Sequence, residues 1–118
     1  MSLMNSAQLQ LLERYLDLAA QRQGLISSNI ANIDTPGYHT RDVDFRGEMM
    51  RAMNGQADDG TSPFVMPVRG LLARPDGNNV NLERESMLLA EVQLQFKTAT
   101  SILHTEFLQI HTAIHEGQ

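Results

Sequence analysis

The sequence predicts a mainly α fold: long N-terminal and C-terminal helices paired antiparallel, with an irregular middle segment containing little or short β structure. Three observations carry this. Apolar residues recur at helical spacing over residues 5–32 and again over 82–114. The stretch between them is dense in Gly, Pro, Asn and Asp. Aromatic residues are few, with two Tyr, four Phe and no Trp, so Leu, Ile, Ala and Met supply most of the apolar content. That composition suits helix packing better than a thick sheet core. A chain of 118 residues holds one domain, or one domain with mobile ends.

The first helix is expected from Asn5 to Asn32. Leu11, Tyr15, Leu18, Ala19, Ile26 and Ile30 recur at steps of three, four and seven, and Leu9, Leu12 and Leu16 widen the face. Asn5 or Ser6 suits the N-cap. Gln10, Glu13, Arg14, Asp17 and Gln21 form the polar side, where Arg14 and Asp17 are spaced to pair. Gly24 weakens the helix interior by about 1 kcal/mol relative to Ala, which predicts a bend or a close contact there. Such a helix is about 40 Å long and cannot cover its own apolar face.

Its end is encoded at nearly every position. Pro36 lacks an amide hydrogen and pushes Thr35 out of the helical region. Pro36-Gly37 fits the centre of a type II turn. Asn32 and Asp34 can bond nearby backbone, and Tyr38 adds an aromatic anchor with a polar tip. Residues 38–45 then read as a short extended piece, and Glu48–Met53 as one or two helical turns. Residues 54–63 form the clearest loop. Residues 64–68 are a strand candidate that Pro67 confines to an edge, with Leu71–Arg74 as its expected partner. Pro75–Asn78 is a turn.

Asn81 caps the second helix, expected over Leu82–Ile114, with Glu83 and Glu85 in its first turn where the helix dipole favours anions. Its stripe is Val92, Phe96, Ala99, Leu103, Phe107, Ile110 and Ile114, with an average step of about 3.67 that predicts nearly straight packing. Ile102 and Leu108 lie off that stripe and offer a second apolar face. The organisation is therefore residues 1–37 and 81–118 as one helical unit, with 38–80 as the middle segment.

Function classes narrow quickly. The net charge of −5 and the absence of a Lys/Arg run argue against nucleic acid or an anionic membrane as partner. No apolar run approaches the roughly 20 residues that span a bilayer, and no basic-then-apolar secretory leader is visible. There is no cysteine, hence no disulfide and no thiolate metal site. His104, His111 and His115 share a helix face, but a third or fourth ligand of the right type is missing, so a solvated or interface face is the better reading. No nucleophile elbow, phosphate loop or dinucleotide fingerprint occurs. Asp34, Asp42 and Asp44 read as turn caps and surface pairs. Met49, Met50 and Met53 read equally as packing or as an adaptable contact surface. No cofactor is expected and no enzyme activity.

Asn29-Ile30-Ala31-Asn32-Ile33-Asp34-Thr35-Pro36-Gly37-Tyr38 resembles the N-terminal signature of bacterial flagellar axial proteins, and Arg41-Asp42-Val43-Asp44-Phe45 narrows this to the proximal-rod branch of the flagellar basal-body rod family. Asn78–Glu85 and Leu89–Phe96 carry a second match. The resemblance implies a structural rod subunit whose terminal helices pair and stack around a hollow axis. It implies as partners further copies of itself, other rod subunits, the ring-to-rod adapter and, in transit, the type III export apparatus, with no direct membrane insertion. It implies a place in the periplasmic part of the basal body, reached without a cleaved signal peptide. Carried over by position, Asn29, Asn32, Asp34, Thr35, Pro36, Gly37 and Tyr38 would meet neighbouring subunits, as would Val92, Phe96, Ala99, Leu103, Phe107 and Ile110. A helical-hairpin adaptor for one partner helix is the competing reading, and a metal-dependent enzyme using the histidines is a third.

Overall fold

A computed structural model describes residues 3–55 and 65–117 of the chain. The elements run α1 (Ser6–Ala31), β1 (Arg41–Val43), α2 (Phe45–Met53), β2 (Val65–Pro67) and α3 (Leu82–Glu116). Helices α1 and α3 pair antiparallel. The backbone N–H of Met4 donates to Glu106 at one end (2.6 Å), and Asn29 meets Glu85 at the other. The result is a rod-like molecule of 68 × 27 × 19 Å.

Helix α1 starts in a capping box. The Asn5 side chain accepts from the Gln8 N–H, and the Gln8 side chain accepts from the Asn5 N–H. Leu18, Ala19 and Ile26 are buried, and Leu11, Tyr15 and Ile30 are half-buried, so the expected stripe faces the core. Gly24 sits on the exposed side with open space where a Cβ would lie. It is not a close-contact site, and α1 runs continuously through it. Arg14 does not pair along the helix with Asp17. It reaches across to Glu48 on α2 at 3.0 Å.

The buried line of α3 is Glu85, Val92, Ala99 and Glu106. These are seven residues apart, the period of a left-handed helix seam, and not the 3.67 step of the apolar stripe. The stripe and the seam coincide only in the middle. Leu103, Phe107, Ile110 and Ile114 are apolar but exposed, and all but Leu103 lie on the ten residues by which α3 continues past Glu106, beyond the start of α1.

In the middle segment, β1 pairs antiparallel with β2 in the register Arg41↔Pro67, Asp42↔Met66, Val43↔Val65. β2 is exposed along its length, in keeping with Pro67 at an edge. Leu71–Arg74 does not pair with it. The Val68 N–H donates to Thr40 and keeps that chain on β1, while the Arg74 backbone closes the following turn through Asn78 and Gly77. Helix α2 begins three residues earlier than Glu48. Asp44 caps it by accepting from the Gly47 N–H, which turns Phe45 into helix and places its ring edge-on to Tyr15 at 5.1 Å. Most of the predicted 54–63 loop, and Phe64, lie outside the described residues.

Two outcomes are expected from this packing. Gly24→Ala should raise unfolding stability by about 1 kcal/mol, read as a rise of several degrees in Tm. Burial, reinforced by Glu91 and opposed by a Gln95 hydrogen bond, lifts the Tyr15 phenol above its ordinary value of 10.0. The unfolded chain then loses this proton first as pH rises. The stabilisation is therefore complete below pH 10 and declines above it, and Tyr15→Phe should flatten that part of a stability–pH curve.

Candidate functional site

The signature residues close the turn end of the hairpin through a polar node. Asn29 lies in the last turn of α1 yet is only 1% exposed. Its amide Nδ2 donates to the Arg41 carbonyl (2.8 Å), and its Oδ1 accepts from the Arg41 N–H (3.1 Å) and the Tyr38 hydroxyl (2.9 Å). It thus pairs with Arg41 as a neighbouring strand would. Nδ2 also reaches Glu85 of α3 at 3.3 Å.

Glu85 is 0% exposed. It accepts from the Thr40 hydroxyl at 2.6 Å and from Arg84 at 3.1 Å. A buried carboxylate without donors is very costly, so these partners are the reason it can sit there. Thr40 in turn donates its N–H to Asn79 at 2.7 Å, and Asn79 donates back to the Tyr38 carbonyl. Helix end, turn exit and α3 start are joined around one side chain.

A second set of bonds holds the signature turn. The Tyr38 N–H donates to the Thr35 carbonyl and Gly37 takes a φ of 75°, as the predicted type II turn requires. The Asn78 amide donates to the carbonyls of Asn32 (2.9 Å) and Thr35 (2.8 Å), and Arg74 donates to the Ile33 carbonyl. The Gly37 N–H donates to Asp76, and a Cβ on Gly77 would lie 3.4 Å from the Gly37 Cα. The two turns therefore stack backbone to backbone. Arg22 fastens the next layer, gripping Asp42 through two nitrogens (both 3.1 Å) and standing 3.6 Å from Glu91.

The predicted interface residues divide by placement. Asn29 and Tyr38 bond inside the chain, and Asn32 is half-buried with its amide on Ser28 and its oxygen accepting from Thr35. Asp34, Thr35, Pro36 and Gly37 face outward. Val92 and Ala99 are covered by α1, and Phe96 is half-buried. Leu103, Phe107 and Ile110 are exposed at 37%, 67% and 40%.

Sequence reasoning missed Glu85, Thr40, Asn78 and Asn79 as parts of the node, and Arg22 as a clamp. One signal was present. Glu85 lies seven residues before Val92 and Glu106 seven after Ala99, on the line of the stripe, where a first-turn surface role does not fit. His104, His111 and His115 are exposed, with the last two rings edge-on at 4.4 Å. Among the described residues, no group of three or more His, Cys, Asp or Glu is placed to hold a metal ion, and no helix is long and apolar enough to cross a membrane.

An elongated hairpin with one end tied by polar contacts, and an apolar helix end left uncovered, belongs to the class of assembly subunits. The family model described as flagella basal body rod protein matches residues 16–39, the second half of α1 and the signature turn. The chain is 32% identical to the flagellar basal body rod protein FlgB of Yersinia enterocolitica, over 86% of this chain and 89% of that one. It is 31% identical to FlgB of Salmonella typhimurium, covering 94% and 95%, and 34% identical to FlgB of Cereibacter sphaeroides, covering 84% and 87%. The chain belongs to the family of the flagellar basal body rod protein FlgB.

The node gives a direct contrast. Asn29→Ala should cost about 2–4 kcal/mol in urea unfolding, since it strips a buried carboxylate and a strand backbone of partners. Asp34→Ala, at the exposed part of the same signature, should leave the unfolding midpoint unchanged.

Proposed function

We propose that this rod subunit works as a load-bearing stave of the proximal rod, with its terminal helices carrying torque from the motor ring toward the distal rod. The chain is a structural component of the flagellar basal body and not an enzyme, as its family establishes. The observation that carries the finer reading is the overhang of α3. Ten residues past Glu106 extend the helix by about 15 Å, and they present Phe107, Ile110 and Ile114 to solvent. A ten-residue helix end is marginal alone and is stabilised by a neighbour that covers this face.

In this reading residues 1–37 and 81–118 form the rod core and 38–80 faces outward, held against α1 by Arg22–Asp42 and Arg14–Glu48. Asp34–Gly37 and the stripe from Phe96 to Ile110 supply the contacts to neighbours. Val92 and Ala99 support that stripe from within. The partners are further copies, other rod subunits and the ring-to-rod adapter. The subunit reaches the periplasmic side through the type III export apparatus without a cleaved signal peptide.

Leu103→Asp with Phe107→Asp tests this. Both side chains are exposed in the single chain, so the free subunit should keep its helix content and Tm. In the rod, unpaired buried charge costs several kcal/mol, so rods should fail to assemble and cells should not swim. Normal motility in such a strain would sink the assignment of this stripe to packing.

A further inference from the structure

An asparagine followed by glycine is a chemically weak point in a chain. Glycine has no Cβ, so nothing shields its amide nitrogen from the asparagine carboxamide, and its backbone rotates freely. The sequence has seven asparagines and one such pair, Asn54-Gly55. The structure singles out the same residue. Asn5 and Asn81 accept from the N–H groups of Gln8 and Arg84 in the first turns of their helices. Asn29 is held in the node, and Asn32 donates to the Ser28 carbonyl. Asn78 and Asn79 bind the signature turn. Asn54 is exposed at the C-cap of α2, and its carboxamide has no hydrogen-bond partner among the described residues.

Gly55 is exposed too. It takes a φ of 73°, and a Cβ built on it would meet nothing within 4 Å. Its N–H donates to the Ala52 carbonyl at 3.2 Å, a bond of a helix end, where local opening is easiest. Asp76-Gly77 offers the internal contrast. The Asp76 carboxylate accepts from the Asn78 N–H at 2.9 Å, its carbonyl accepts from the Gly37 N–H at 2.9 Å, and the Gly77 N–H donates to Arg74 at 2.8 Å. Any rotation there would break the two stacked turns.

We propose that Asn54 is a site of spontaneous deamidation in the folded protein. The Gly55 amide nitrogen, having given its proton to hydroxide or a buffer base, attacks the side-chain carbonyl carbon of Asn54. The new N–C bond closes a five-membered succinimide. The C–N bond of the carboxamide breaks, and ammonia leaves with a proton from solvent. Water then adds to either imide carbonyl and opens the ring to aspartate or to isoaspartate, in which the main chain runs through the former side chain. The net change is asparagine and water to aspartate or isoaspartate and ammonia. The product adds one negative charge to a chain already at −5 and sets it at the negative pole of α2. Asn54 belongs to the middle segment, off the α1–α3 seam, so the helical unit is untouched. The inference is independent of the rod-subunit reading.

The test is to hold the full chain, folded, for days at mildly alkaline pH and to map its peptides by fragmentation that separates aspartate from isoaspartate. Asn54 should convert first, at least tenfold faster than any other asparagine. Unfolding in urea should change its rate by less than tenfold, whereas isoaspartate at Asp76 should form only in the unfolded chain. Asp59-Gly60 lies outside the described residues, and conversion of an aspartate releases no ammonia, so it does not enter the count. Gly55→Ala should slow conversion at least tenfold, with thermal melting to show that the variant is folded. Asn54→Gln keeps Gly55 in place and should remove most of the ammonia released by the folded protein. Another asparagine converting first would overturn the proposal. So would an Asn54 that reacts only in urea, an Asp76 that isomerises equally fast in the folded chain, or ammonia release unmoved by both substitutions.

Discussion

Glu85 has no exposed surface, and three segments of chain supply what its carboxylate needs. Asn29 comes from the end of α1, Thr40 from the exit of the turn, and Arg84 from α3 itself. Asn29 and Thr40 are distant from it in sequence and held by other parts of the fold. The node can form only when α1, the signature turn and α3 are all in place, and it fixes how far along α1 the second helix begins. Buried polar groups of this kind contribute little net stability compared with an apolar replacement, but they penalise every arrangement that leaves them unpaired. The seam above the node needs such a constraint. Its buried residues are few and mostly small, with Leu18, Ala19 and Ile26 facing Val92 and Ala99, and a seven-residue repeat by itself tolerates displacement by one repeat.

The rest of the turn end is built outward from that node. Asn78 and Asn79 bind the backbone of the signature turn from the α3 side, and Arg22 ties α1 to β1 and approaches α3. Arg14 and Glu48, with the Tyr15–Phe45 ring contact, seat α2 on α1. The short two-stranded sheet is too small to stand alone, and it persists because Asn29 occupies the open side of β1 as a strand would. At the opposite end the Met4 N–H donates to Glu106. The molecule is thus rigidly specified at one end and left apolar and uncovered at the other. That asymmetry is what a subunit needs if it must hold its own shape and still complete its fold against neighbours in a rod.

The sequence by itself determined the two helices, their caps, the turn at Pro36-Gly37 and the family. Each of these rests on local rules: apolar period, an Asn that caps, a Pro that stops, a Gly that takes a positive φ. The signature string was also legible as a place of special geometry, because no other reading explains so many turn formers in a row. The tertiary structure alone decided which of its residues point inward. Asn29 and Asp34 are both short polar residues near a helix end, yet one is buried in the node and the other faces solvent. The difference comes from Arg41, Thr40 and Glu85, up to fifty-six residues away. The same holds for α3. Periodicity marked one continuous stripe, but only the length of α1 decides where its cover stops, so Ala99 is core while Phe107, eight residues on along the stripe, is surface. Local sequence sets what each segment prefers, and the partner brought from far along the chain sets which face of it is buried.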